Sequence, residues 1–236
     1  MSEATETTPQ ADFRDRLAVA LDVDDLVAAL RIAREVRPWF GVAKIGLELF
    51  IAAGPEAIGA LMQVGYKVFL DLKLDDIPNT VNRAARIAGS LGATYLTIHA
   101  RGGVNTLRAG VTGLADGAQA AGLPAPISLA VTVLTSDDSA PAHILPQRVE
   151  AAAESGAGGI VCAASDVAEA KKLAPQLVAV VPGIRPAGTD AEDQRRAATP
   201  REALDAGADL LVIGRPVTRA EDRVAAAAAL VESLTG

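Results

Sequence analysis

The sequence predicts a (β/α)₈ barrel, and three observations support this prediction. Short apolar runs typical of buried strands alternate along the chain with alanine-rich stretches that carry apolar residues at helical spacing. Eight such pairs in 236 residues is the number expected for this fold. An open doubly wound sheet is the alternative, but the glycine-rich motif that usually follows its first strand is absent from the sequence.

The predicted strands and helices follow one another in strict alternation. The strands are Leu17–Val23, Val42–Leu47, Lys67–Lys73, Tyr95–His99, Ile127–Val133, Gly159–Ala163, Leu177–Pro182 and Asp209–Gly214. The helices are Asp24–Val36, Pro55–Val64, Asn79–Leu91, Val104–Ala121, Leu145–Glu154, Asp166–Leu173, Pro200–Ala206 and Asp222–Leu234. Glycines stand at five helix ends, where a left-handed residue is common: Gly65, Gly92, Gly122, Gly156 and Gly207.

The domain organisation predicted from the sequence is simple. No linker or low-complexity segment interrupts residues 13–236, which we expect to form a single barrel domain. Residues 1–12 are polar and acidic, without the basic and apolar regions of a signal peptide, so we expect a disordered tail.

The composition excludes several classes of function. A net charge of −7 argues against a nucleic-acid surface and against a basic membrane patch, and no apolar run has the length and flanks of a membrane span. With one cysteine and two histidines, no intramolecular disulfide can form and a zinc site is disfavoured. Cys162 lies in an apolar run and is expected in the core, as in a cytoplasmic protein.

The most informative segment is Phe69–Thr80, because charged residues occur at the end of a predicted strand. Strand side chains alternate between faces, so Asp71 and Lys73 are expected to point together into the barrel mouth. Lys44 and Asp22, at the ends of the two preceding strands, are candidate partners. A structural ion-pair network is the simpler interpretation of one such pair, but four charges on three consecutive strands favour a functional site.

Two further segments carry candidate residues. Asp76 is followed by Pro78, so it either favours a helix N-terminus or takes part in catalysis, and the pattern leaves both open. The loops after strands seven and eight commonly bind phosphate in such barrels, which singles out Arg185, Gly214 and Arg215. A turn with a solvated arginine is the alternative for Arg185. His99 is expected to be a buried, hydrogen-bonded histidine.

These segments closely resemble the orotidine 5′-monophosphate decarboxylases, in particular the bacterial ones. The matching stretches are Ala20–Asp22, Lys44–Gly46, Asp71–Thr80, Val131–Thr135, Pro182–Arg185, Asp193–Arg196 and Ile213–Val217, in the family's order. The D-x-K-x-x-D core occurs in a wider group of barrels, but its combination with Lys44 and Asp-Ile-Pro-Asn-Thr is specific. One departure is Asp75, where bacterial members often have histidine.

The resemblance implies a cofactor-free and metal-free decarboxylation of orotidine 5′-monophosphate by a homodimer with shared active sites. It implies that Lys73 donates the proton to C6, that Asp71 lies beside the substrate carboxylate, and that Lys44 bridges Asp71 and the ribose. It implies that Asp76 comes from the neighbouring subunit. The other implied contacts are ribose for Asp22 and Thr80, the pyrimidine for Thr135, and phosphate for Arg185, Gln194, Gly214 and Arg215.

Two other functions fit part of this pattern. Metal-dependent sugar-phosphate decarboxylases and hexulose-phosphate synthases share the D-x-K-x-x-D strand, but they place a metal-binding acid where this chain has Lys44, and a lysine there opposes a divalent cation. A non-catalytic nucleotide-binding barrel would need the phosphate and ribose contacts but not Lys73 between carboxylates.

Overall fold

The computed structural model describes residues 13–137, 139–185, 196 and 198–235, and the sheet it contains is a closed barrel of eight parallel strands in sequential order. The strands are β1 (Leu17–Ala20), β2 (Val42–Ile45), β3 (Lys67–Leu74), β4 (Tyr95–His99), β5 (Ile127–Val131), β6 (Gly159–Val161), β7 (Val178–Val181) and β8 (Leu210–Ile213). Pairing of β1 with β8 closes the barrel. The predicted fold is confirmed.

Helices surround the barrel. They are α1 (Leu26–Val36), α2 (Leu47–Ala53), α3 (Glu56–Gln63), α4 (Pro78–Ser90), α5 (Gly103–Ala120), α6 (Ile144–Ser155), α7 (Ala164–Leu173), α8 (Pro200–Asp205), α9 (Arg215–Thr218) and α10 (Arg223–Thr235), with a 3₁₀ turn at Ala100–Gly102. All five glycines predicted at helix ends have positive φ angles. None of the helices in the described ranges is long and apolar enough to cross a membrane.

The element boundaries differ from the prediction in two informative ways. Four of the eight strands, β1, β2, β5 and β6, end two or three residues earlier than predicted, because ladder pairing stops where the loops at the barrel mouth begin. The β2 prediction also included Leu47, which instead opens α2 directly after Gly46. Helix α2 was not predicted, since its apolar residues continue the strand's apolar run. It brings Leu47 and Glu48 to the mouth.

The barrel has an apolar interior whose character changes along the strands. A buried cluster fills the barrel with inward side chains that include Ala18, Ala20, Val42 and Phe69, whereas a larger cluster fills the space between strands and helices. Two residues further on, the inward positions become charged: Asp22 follows Ala20, Lys44 follows Val42 and Asp71 follows Phe69. The strand alternation therefore places a charged layer directly above an apolar floor.

Helices α4 and α5 pack unusually closely. A Cβ added at Gly113 or Gly117 would overlap the carbonyl oxygens of Asn82 or Arg86, so glycine is required on this face of α5. The contact fixes α4, which follows the strand that carries Asp71 and Lys73.

Candidate active site

A cavity of about 510 Å³ opens at the C-terminal ends of the strands. Apolar side chains form part of its lining, among them Ala20, Phe69, Val131, Val161 and Val212. Eight of the eleven residues predicted from the sequence line it: Asp22, Lys44, Asp71, Lys73, Thr135, Arg185, Gly214 and Arg215. Asp76 and Thr80 do not, and Gln194 lies outside the described residues.

Four of these side chains form an alternating array of charges. The Lys44 ammonium donates to Asp22 Oδ1 at 2.9 Å and lies 3.7 Å from Asp71 Oδ2. The Lys73 ammonium donates to the other oxygen, Asp71 Oδ1, at 2.8 Å. Because each buried charge has a partner of opposite sign, the cost of removing these groups from water is offset. The Lys73 side chain is the more open of the two lysines, with 35% of its surface exposed against 9% for Lys44.

The environment of Asp71 keeps its carboxylate ionised. Burial alone would raise the pKa of Asp71, but the charges of Lys44 and Lys73 and hydrogen bonds from Lys73 and Thr97 outweigh burial and lower it. The site therefore contains a fixed negative charge directly beside the Lys73 ammonium.

The backbone at Lys73 is irregular. Strand β3 loses register with β4 between Leu70 and Leu74, and Lys73 has a φ of 49°, the only positive φ at a non-glycine residue within the described ranges. This left-handed conformation costs of order 1–3 kcal/mol and persists only where the surroundings enforce it, which is common at functional sites. The Lys73 N–H donates to Thr97 Oγ1 at 2.8 Å, and this bond supports the irregular segment.

Asp76 and Thr80 lie outside the cavity of their own chain. Both are exposed, and the Asp76 carboxylate accepts a hydrogen bond from the Ile77 N–H at 2.6 Å. Neighbouring Asp75 forms an ion pair with Arg101. The positive charge of Arg101, which follows β4, thus compensates the extra negative charge that Asp75 adds to this loop.

The opposite wall contains the residues predicted to bind phosphate. Gly183 has a φ of 77°, which only glycine adopts readily, and it turns the chain so that Arg185 is buried at the cavity wall. A Cβ at Gly214 would meet only Ala20, at an ordinary 3.5 Å, so the space beside the Gly214 Cα is open. Arg196 binds both Asp166 oxygens and the Leu134 carbonyl, which anchors the loop that carries Thr135.

Three residues at or beneath the cavity were missed from the sequence. Arg219 lines it one helical turn after Arg215, and that spacing was a usable signal. Glu48 lines it from the unpredicted helix α2. Thr97 is fully buried under the array and shares a strand face with Tyr95 and His99. A single threonine in an apolar strand does not by itself indicate a functional residue.

The predictions for His99 and Cys162 are confirmed. His99 is buried and its Nδ1 accepts the Arg101 N–H at 3.3 Å, while burial, followed by the charge of Arg101, lowers its pKa. Cys162 is free and fully buried, and burial raises the pKa of its thiol to about 12. Neither residue lines the cavity.

An alternating lysine–aspartate array at the C-terminal end of a (β/α)₈ barrel, where such barrels carry out catalysis, defines the class of this protein as a barrel enzyme. Residues 15–230 match the model of the orotidine 5′-phosphate decarboxylase / HUMPS family, and the chain belongs to that family. The resemblance seen in the sequence is confirmed.

Individual relatives support this assignment over nearly the whole chain. The orotidine 5′-phosphate decarboxylase of Anaeromyxobacter sp. (strain K) is 46% identical over 231 residues, which cover 93% of this chain and 98% of that protein. The enzyme of that name from Moorella thermoacetica is 43% identical over 233 residues, covering 94% and 92%. The crystal structure of orotidine 5′-phosphate decarboxylase from Lactobacillus acidophilus is similar with a TM-score of 0.79 and 36% identity, covering 94% of this chain and all of that one.

Proposed function

We propose that this protein decarboxylates orotidine 5′-monophosphate to UMP and CO₂, a step of pyrimidine biosynthesis, in the described cavity and without a cofactor. The observation that carries the proposal is the Lys44–Asp71–Lys73 array, whose Lys73 ammonium faces the cavity next to an ionised carboxylate. The names of the close relatives favour this substrate over others of the family.

The chemistry explains why an ammonium is needed at this position. Loss of CO₂ leaves a carbanion at C6 that no π-system delocalises, so the protein must stabilise it. An ammonium about 4 Å away contributes on the order of 4 kcal/mol at an effective dielectric near 20. Because enzymes lower barriers by up to roughly 23 kcal/mol, Lys73 cannot act alone. Lys73 then donates its proton to C6. Asp71, beside the substrate carboxylate, holds Lys73 in place.

The remaining residues bind the parts of the nucleotide that do not react. Lys44 spans Asp71 and the ribose, Asp22 and Thr80 bind ribose hydroxyls, and Thr135 meets the pyrimidine edge. The phosphate binds to Arg185, Gln194, Gly214 and Arg215. The open space beside the Gly214 Cα lets a phosphate approach the backbone closely. Phosphate binding far from C6 supplies free energy for orientation.

The active site is completed by a second copy of the chain in a homodimer. Asp76, in the role proposed here, contacts the ligand of the neighbouring subunit. Asp76 and Thr80 are both exposed and neither lines the cavity of its own chain, which supports this arrangement. Ile77 and Ile87, on the same loop and helix, are 65% and 60% exposed, which is consistent with a face covered by a partner.

The Lys44 position argues against the metal-dependent alternative. Its ammonium lies 2.9 Å from Asp22 and 3.7 Å from Asp71, so it occupies the position between the two carboxylates where a divalent cation would bind. Among the described residues, no group of three or more histidine, cysteine or acidic side chains is arranged to hold a metal ion.

One assay tests the proposed function. The purified protein is incubated with orotidine 5′-monophosphate in EDTA, and the loss of orotate absorbance is followed while the product is identified by chromatography. We expect complete conversion to UMP at a rate that EDTA does not change. A lack of conversion would refute the proposed activity, and activity that EDTA abolishes would favour the metal-dependent alternative.

A further inference from the structure

Strand β4 offers a single residue opposite the irregular part of β3. Leu70 pairs with Leu96, and Leu74 pairs with Ile98. Three residues of β3, from Asp71 to Lys73, therefore face one residue of β4, which is Thr97. Regular backbone pairing cannot satisfy three residues with one, so part of the ladder is missing here and a side chain can take its place.

The Thr97 hydroxyl makes the two contacts that this geometry needs. Its oxygen accepts the Lys73 N–H at 2.8 Å. Its single hydrogen can be donated to Asp71 Oδ1 at 3.1 Å or to the Leu70 carbonyl at 3.4 Å. The carboxylate is the nearer acceptor and carries the charge, so the bond to Asp71 is the stronger. One buried hydroxyl thus joins the Lys73 backbone to the Asp71 side chain.

We propose that Thr97 is a positioning residue of this active site, which holds Lys73 in its left-handed conformation and orients the Asp71 carboxylate towards the Lys73 ammonium. Its consequence for catalysis rests on the proposed function, whereas its structural role does not. Thr97 does not line the cavity, so it acts only through the other two residues.

The strain at Lys73 explains why the hydroxyl matters. A non-glycine residue at a φ of 49° relaxes to the right-handed or extended region unless its surroundings prevent it. Relaxation would swing the Lys73 side chain and lengthen its 2.8 Å bond to Asp71. A displacement of about 1 Å at a reacting group can cost on the order of 100-fold in rate.

The test compares Thr97→Val, which keeps the shape and removes the hydroxyl, with Thr97→Ser, which keeps the hydroxyl. Thr132→Val is the matched control, because Thr132 is equally buried, directly after β5, but its hydroxyl donates to the Val161 carbonyl at 2.8 Å. Arg148 binds the backbone carbonyl of Thr132, which the substitution keeps. Steady-state kinetics with orotidine 5′-monophosphate and the affinity for UMP are measured for all three. Thr97→Ala repeats the test if the valine variant does not fold.

For Thr97→Val we expect kcat to fall on the order of 100-fold, while KM and UMP affinity stay within about threefold, because only the reacting group is displaced. Thr97→Ser should recover most of the loss, and Thr132→Val should stay near wild type. Equal kcat in Thr97→Val and wild type would overturn the proposal, as would a Thr97→Ser variant no better than valine. An equal loss in Thr132→Val would also overturn it.

A crystal structure of Thr97→Val tests the same role independently of activity. We expect Lys73 to leave its positive φ and its ammonium to move away from Asp71 Oδ1. An unchanged Lys73 would overturn the positioning role even if the enzyme were impaired. If wild type does not decarboxylate the substrate, the proposed function fails, and this structure still decides the role of Thr97.

Discussion

The Lys73 ammonium donates a 2.8 Å hydrogen bond to the Asp71 carboxylate although the two residues are only two positions apart on β3. On a regular strand, such positions project in parallel from points roughly 6.6 Å apart. The irregular register after Leu70 and the left-handed Lys73 accompany the closer approach of the two side chains. The irregular backbone at the end of β3 is therefore associated with the ion pair between Asp71 and Lys73.

The first prediction concerns the pH dependence of stability. The pKa of Asp71 is lowered in the folded protein, so its ionised form stabilises the fold above the unfolded value of about 3.9, and this contribution is lost as the pH falls through the native pKa. We expect the free energy of unfolding of wild type to decline below about pH 4 more steeply than that of Asp71→Asn. Denaturant titrations from pH 7 to pH 3 measure this, and identical slopes in the two proteins would contradict it.

The second prediction concerns phosphate recognition. Losing the Arg215 guanidinium removes charge-assisted hydrogen bonds, so Arg215→Ala should weaken binding of orotidine 5′-monophosphate by roughly 10- to 100-fold. Its effect on orotidine, which lacks the phosphate, should be much smaller. Arg201→Ala is the control, because Arg201 pairs with Asp205 on the outer helix α8. Equal losses on both ligands would show that Arg215 supports the structure and not phosphate binding.

The third prediction tests the proposed homodimer with shared active sites. Lys73→Ala and Asp76→Ala homodimers should each be nearly inactive, but random re-pairing of their subunits makes half of the dimers mixed. Each mixed dimer has one doubly damaged site and one intact site, so activity should recover to about a quarter of wild type. Mass spectrometry checks the exchange. Activity that stays at the sum of the two parents after complete exchange would place Asp76 in its own chain's site.

The fourth prediction concerns Cys162. Its thiol is buried and burial raises its pKa to about 12, so it should not react with iodoacetamide in the native protein at pH 8. Because it is the only cysteine of the chain, labelling should follow unfolding in denaturant. Rapid labelling without denaturant would show that the packing around β6 opens far more readily than the structure indicates.

Much of this site could be predicted from the sequence because strand alternation is a strict rule. Once Phe69 is assigned to the interior, Asp71 must share its face, and the change from apolar to charged residues marks the barrel mouth. The same reasoning located Lys44 and Asp22.

Other features could not be predicted, for identifiable physical reasons. The irregularity at Lys73 depends on how many residues β4 places opposite β3, which is a property of the pair of strands and not of either sequence. Thr97 acquires its role only through that pairing. Helix α2 was missed because Leu47 continues an apolar strand pattern, and Glu48 was missed with it. The exposure of Asp76 depends on the path of the loop between β3 and α4, which the sequence pattern does not determine.

The most direct test of the charge array is the turnover of Lys73→Ala. The variant should bind UMP nearly as well as wild type, because the residues proposed to bind phosphate are untouched. Its kcat for orotidine 5′-monophosphate should fall by at least 100-fold, because the proposed proton donor is removed. Lys67→Ala, on the same strand but at the exposed Asp15 ion pair, should retain normal turnover. Near wild-type kcat in Lys73→Ala, measured beside this control, would contradict the role of the array in decarboxylation.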